Sequence, residues 1–135
     1  MIAFTRMLDT NIVSDLVRNP GGKAAQRLAL EGEDAVCVSI IAAAELRFGV
    51  AKRGSQRLAT QLGRVLATMT IMPFEAPADA VYGLVRTGLE LAGTPISAND
   101  LLIAAHALAL QLTLVTHNTG EFRWVPGLAV EDWLE

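Results

Sequence analysis

The chain has 135 residues, of which 52% are hydrophobic and 19% charged, with a formal net charge of −3. Such a length suits one domain, residues 1–135, and the composition excludes a disordered or fibrous chain. The acidic balance excludes a surface that attracts nucleic acid as a whole, and a mean hydropathy of +0.38 implies an Ala/Leu-heavy core or apolar surface kept for a partner.

Cys37 is the only cysteine. It can form no internal disulfide, and it lacks the companions of a thiolate metal site, so a reducing cytoplasm is the expected location. The opening MIAFTR is too short and too soon interrupted for a signal peptide. No apolar run approaches the roughly 18 residues that span a bilayer, so no membrane association is expected.

In chain order, Met7 and Leu8 fit a buried strand. Asp9, Thr10 and Asn11 fit its sharp exit into a helix, where short oxygen-bearing side chains are favoured. Apolar positions 12, 13, 16 and 17 carry that helix to Arg18, and Asn19-Pro20-Gly21-Gly22 stops it. A second helix runs over 23–30. Ala35–Val38 reads as strand two, Ser39 as the cap of a helix over 40–52, and 56–68 as its partner in a helical hairpin. Strand three falls at 70–74, closed by Pro73 and Pro77. A helix over 78–92 carries Gly83 and Gly88, each weakening it by roughly 1 kcal/mol relative to Ala. The segment 99–110 is apolar nearly all round, a buried helix. Strand four is 113–116, then a loop or short helical turn over 117–123, and a last strand at 128–130. Alternating strands and helices imply an α/β fold with a parallel sheet covered on both faces.

Three acids stand out. Asp9 ends strand one, at the edge where α/β proteins bind ligands, although it can equally cap the following helix. Glu45 shares a helical face with Ile41 and Phe48, which places an acid on an apolar stripe. It can also lie at the stripe's edge or pair with a buried arginine. Asp100 shares a face with Ile103, Ala104 and Ala107, while Ser97-x-x-Asp100 matches a capping box. A cap and a ligand for a bound group are compatible roles. Every strand of a parallel sheet opens its carboxyl end on one edge. A 3-2-1-4-5 order sets strands one and four side by side and brings Asp9, Glu45 and Asp100 together, with Asn118 and Glu121 after strand four.

Crowded carboxylates must be protonated or neutralised. All-oxygen donors without His or Cys select Mg²⁺ or Mn²⁺ over Zn²⁺. Such an ion can activate water and stabilise phosphoryl charge, so phosphodiester hydrolysis is the fitting reaction. Between Glu45 and Glu75 lie Arg47, Lys52, Arg53, Arg57 and Arg64, with no acid among them. These either hold a phosphate backbone or form an ordinary solvated hairpin. A phosphotransferase or nucleotide-binding protein is disfavoured, since GxGxxG and the Walker lysine motif are absent. A phosphoaspartyl enzyme would want a second Asp two positions after Asp9.

The segments MLDTNI at 7–12, VSIIAAAELRFG at 38–49, AGTPISANDLLIAAHA at 92–107, LVTHNTGEF at 114–122 and VPGLAVEDW at 125–133 together resemble a PIN-domain ribonuclease of the VapC type, the toxin of a toxin–antitoxin pair. The resemblance implies a three-layer α/β/α fold and a Mg²⁺- or Mn²⁺-dependent endoribonuclease that cleaves structured RNA, often tRNA, and halts translation. It implies a homodimer and a VapB-type antitoxin that sends a basic side chain into the acidic pocket, with operator DNA bound only through that complex. By motif, Asp9, Glu45 and Asp100 would hold the metal, with Thr10 and Ser39 as nearby hydroxyls. The family's fourth position, often Asp, falls on Asn118, and Glu121 would compensate. RNA contacts would come from Arg47, Lys52, Arg53 and Arg57. His117 reads as an exposed loop residue and His106 as a core histidine. The competing expectation is a non-catalytic module whose acids only receive a partner's basic residues.

Overall fold

A computed structural model describes residues 3–135. The elements run β1 (Arg6–Leu8), α1 (Thr10–Arg18), α2 (Lys23–Glu31), a 3₁₀ turn (Glu33–Ala35), β2 (Val36–Ser39), α3 (Ile40–Arg53), α4 (Gln56–Ala67), β3 (Thr70–Met72), α5 (Ala78–Leu91), α6 (Ala98–Ala109), β4 (Thr113–Val115), α7 (Thr119–Phe122) and β5 (Val130–Glu131). All strand pairs are parallel and the order is β3-β2-β1-β4-β5, as expected. Helices cover both faces, giving the three-layer α/β/α arrangement. Among the described residues no helix is long and apolar enough to cross a membrane.

The strands are short apolar runs because both sheet faces are buried. Met7, Leu8, Val36, Cys37, Val38, Leu114 and Val115 have no exposed surface. Burial pushes the Cys37 thiol up to about 12, which leaves it unreactive. From above the sheet, α6 contributes Ile103, Ala104 and Ala107, all fully buried, so the deep placement of this helix holds.

Local signals set the boundaries. The Ser39 hydroxyl accepts the Ile41 N–H and starts α3, and Gly54, in the left-handed region at φ 66°, ends it. Ser55 then caps α4 through the Leu58 N–H, completing the helical hairpin. Strand three stops at Met72 rather than Phe74, because Pro73 brings no N–H to a ladder. The last strand lies at Val130–Glu131, not at 128–130. Gly127, with φ 80°, and the Leu128 N–H to Val125 carbonyl bond hold residue 128 in the preceding turn.

The apolar face of α3 also differs from expectation. Ala42 and Ala43 are its buried residues, with Leu46 and Val50 packed against the core. Phe48 is 67% exposed. The helix turns its small residues to the sheet, which leaves Glu45 beside the core face rather than within it.

Two substitutions test this packing with opposite signs. Ile103→Ala empties a fully buried site and should lower unfolding free energy by about 3 kcal/mol in urea melts. Gly83→Ala meets no heavy atom within 4 Å of the added methyl and should raise it by about 0.5–1 kcal/mol.

Candidate active site at the carboxyl edge of the sheet

Because β1 pairs with β2 on one side and β4 on the other, the residues following all three leave the sheet on one edge. Asp9 leaves β1 there and is 3% exposed. Its Oδ1 accepts the Thr10 N–H at 2.8 Å, so it does cap α1. Its Oδ2 accepts the Thr116 hydroxyl at 2.8 Å and Asn11 Nδ2 at 3.2 Å. Burial pushes the Asp9 carboxyl above its ordinary value. The Thr116 and Thr10 donors pull it down, the Glu45 charge pushes it up, and Asn11 pulls down again.

Glu45, half-buried on α3, reaches the same edge. Its Oε1 accepts the Thr10 hydroxyl at 2.9 Å and its Oε2 accepts Asn99 Nδ2 at 3.0 Å. The acid is therefore held by α1 and α6, not by a buried arginine.

Asp100 stands at the third position of α6. The expected capping box does not close, since the Ser97 side chain makes no capping bond. The reciprocal half is taken by a distant acid: the Ser97 N–H donates to Glu121 Oε1. The Asp100 carboxyl is thus not the group that accepts the Ser97 N–H. Asn118 Nδ2 donates to Asp100 Oδ2 at 3.1 Å and to Glu121 Oε2 at 3.0 Å, bridging the two acids. Desolvation, a hydrogen bond to Glu121 and the charges of Asp9 and Glu121 push Asp100 up to about 7, against the Ser97 hydroxyl. Partial burial works against ionisation of Glu121, but the Ser97, Asp100 and Asn118 bonds outweigh it and hold its carboxyl below the ordinary value.

Asp9, Glu45, Asp100, Asn118 and Glu121 are thereby linked pairwise by charge or hydrogen bonds, with Thr10 among them. Ser39 is not. Its hydroxyl is fully buried and lies 2.8 Å from His106 Nδ1 while capping α3. His106, 1% exposed, is the core histidine expected. Its Nε2 has no hydrogen-bond partner among the described residues, and burial holds its pKa below the ordinary value, with the Pro73 carbonyl and Glu75 opposing. His117 is exposed as expected, yet its ring is anchored through Nδ1 to Asp132 at 2.9 Å.

Sequence reasoning passed over three polar residues that position the acids: Asn11, Thr116 and Asn99. Asn11 holds the edge together twice, donating to Asp9 and accepting the His117 N–H at 2.9 Å. The available signal was placement: Thr116 ends the expected strand that neighbours the one bearing Asp9.

Arg47, Lys52, Arg53 and Arg57 are all exposed on the α3–α4 hairpin, and none forms an ion pair among the described residues. A groove of about 870 Å³ starts at Thr10 and Glu45, has Leu46, Val50 and Leu62 among its walls, and reaches Arg18, Lys52 and Arg53. Arg47 and Arg57 do not line it.

A model of the PIN domain matches residues 6–128. The chain is 39% identical over 129 residues to "Ribonuclease VapC2" of Rickettsia felis, covering 94% of this chain and 96% of that protein. It is 32% identical over 128 residues to "tRNA(fMet)-specific endonuclease VapC" of Shigella flexneri, with the same coverage. The crystal structure of VapBC2 from Rickettsia felis bound to a DNA fragment from their promoter contains a chain that superposes with a TM-score of 0.89 at 36% identity, covering 96% of this chain and 99% of that one. The sheet order and the nearly full-length likeness thus agree, and the chain belongs to the PIN-domain family, among its VapC-type proteins.

Proposed function

We propose that the protein is an endoribonuclease toxin, dependent on Mg²⁺ or Mn²⁺, that cuts structured RNA, tRNA foremost. The observation that carries this reading is the gathering of Asp9, Glu45, Asp100 and Glu121 at one sheet edge, joined through Thr10, Thr116, Asn99 and Asn118, which pushes the Asp100 carboxyl up. A protein gains nothing in stability from crowding acids this way, and a bound cation reverses the repulsion. Ribonuclease names among the relatives support the reaction, and the Shigella flexneri name supports tRNA.

The donors fit a hard ion, being oxygen throughout. Among the described residues no three acidic, His or Cys side chains converge tightly enough to hold an ion as they stand. That suits Mg²⁺, which keeps several waters and takes one or two carboxylates plus substrate phosphate. Asp9, Asp100 and Glu45 would hold it, in part through the waters it keeps. When bound, such an ion supplies an activated water and a counter-charge for phosphoryl oxygens. The chain's own part is orientation. Thr116, Asn11 and the Thr10 N–H lock the Asp9 carboxylate, and Thr10 and Asn99 aim Glu45. Asn118 and Glu121 hold Asp100 at the rim. Asn118 is neutral and adds no charge for a second ion.

Arg18, Lys52 and Arg53 would draw the phosphate backbone along the groove toward Glu45, with Arg47 and Arg57 on the outer hairpin adding to the field. A VapB-type antitoxin would insert a basic side chain among the acids, and such pairing is strong where carboxylates already repel. Operator DNA would be met only through that complex, in keeping with the Rickettsia felis structure. Exposed Phe48, Leu84 and Leu91 leave apolar surface for the antitoxin and for a homodimer. One observation favours the non-catalytic alternative: neutral Asn118 stands where the family pattern often has Asp, and its amide donates to Asp100 and Glu121 instead of adding a charge for a metal.

Asp9→Asn decides between the two. RNA cleavage should fall by at least about a hundredfold with the fold intact, and growth arrest on expression should vanish. A wild type that cleaves no RNA and arrests no growth, while still binding its partner without metal, would leave only the binding module. Cleavage should stop in EDTA and return with Mg²⁺.

The second prediction follows from linkage. Folded Asp100 titrates at about 7 against 3.8 for an unperturbed carboxyl, so the folded chain binds more protons than the unfolded one between those values. Its contribution is therefore fully present below pH 3.8 and lost as pH rises through about 7. Without metal, Asp100→Asn should raise Tm relative to wild type at pH 8, raise it less at pH 5, and leave it nearly unchanged at about pH 3.5. Added Mg²⁺ should raise the wild-type Tm at pH 8 and that of Asp100→Asn much less.

A further inference from the structure

The two tryptophans of the chain sit in opposite surroundings. Trp133 is 4% exposed, its Nε1–H donates to Glu131 Oε1 at 3.1 Å, and Arg27 lies over its ring. Trp124 is 47% exposed. It follows α7 directly, and its N–H donates to the Glu121 carbonyl at 3.3 Å. In such a turn, side chains three apart lie on the same side. The backbone of Trp124 is thereby tied one turn from Glu121, the acid that joins Asp100, Asn118 and the Ser97 N–H. The Arg123 guanidinium carbon stands 4.9 Å from the Trp124 ring centroid, so a cation covers part of the ring while nearly half the residue stays open to solvent.

Resting on the ribonuclease reading, we infer that Trp124 is a stacking platform for an unpaired base of the RNA, next to the bond that is cut. A planar base covers the open part of the indole, and Arg123 on its flank attracts the adjoining phosphate. Bases in a duplex already stack on each other and cannot reach the ring. The substrate class is narrowed accordingly: within a folded RNA, the segment entering the site is a loop, bulge or end. Trp133 cannot serve, being buried and engaged with Arg27 and Glu131.

The test uses the full chain carrying Asp9→Asn, so that the RNA survives. It is titrated with an unstructured RNA of about ten nucleotides, and separately with the same strand annealed to its complement. The unpaired strand should quench tryptophan emission and the duplex should not. Trp124→Phe, added to this background, should remove most of the quench while binding by fluorescence anisotropy stays within about threefold. Trp124→Ala should weaken binding by about tenfold. A quench that persists in Trp124→Phe, or wild-type affinity in Trp124→Ala, overturns the stacking role and leaves the ribonuclease reading intact. Failure of the Asp9→Asn chain to bind the unpaired strand overturns the stacking role, and failure to bind a tRNA as well overturns both.

Discussion

Asp9 is an acid with almost no access to water, and its place depends on a hydroxyl from the far end of the chain. The Thr116 hydroxyl donates to Asp9 Oδ2 at 2.8 Å because β4 lies directly beside β1, with Leu8 in register with Val115. A buried carboxylate without donors would be costly. Three donors satisfy this one, and each comes from the strand ends or the first turn of α1. The sheet order is thus the chemical precondition of the site: with another strand between β1 and β4, the acid could not stay buried.

Charge is then distributed unevenly around the edge. Asp9 is enclosed, Glu45 is tied to α1 and α6, and Asp100 and Glu121 share the rim with one amide between them. The two rim acids respond in opposite directions, Asp100 above its ordinary value and Glu121 below it. The Ser97 N–H accounts for part of that difference, since a helix-end donor stabilises the charge of Glu121. Closing the amino end of α6 with an acid from α7 also leaves Asp100 facing the site.

Much of this was legible in the chain before folding. Strand and helix order followed from short apolar runs alternating with helical periodicity, and the 3-2-1-4-5 sheet from placing the acids on a common edge. Glu45 was found for an imperfect reason. Its supposed stripe included Phe48, which is exposed, because alanines rather than large residues face the sheet. Ser39 was drawn toward the site by its motif, yet packing takes its hydroxyl into the core with His106. Asn11 was read only as part of a turn, and Thr116 and Asn99 escaped notice because a single polar residue at an element end carries no periodicity and their partners lie far off in sequence. The last strand slipped by residues because a positive φ at Gly127 prolongs a turn that propensity cannot measure.

The buried pair of Ser39 and His106 has a wider reach than its position suggests. Ser39 begins the helix that bears Glu45, and His106 sits on the helix that begins beside Asp100. Phe74 packs edge-on against the imidazole, with ring centroids 5.3 Å apart. The spacing between two solvent-facing acids is consequently gauged from inside, by a polar strut sealed in hydrocarbon. A change to that strut would reach both helices at once.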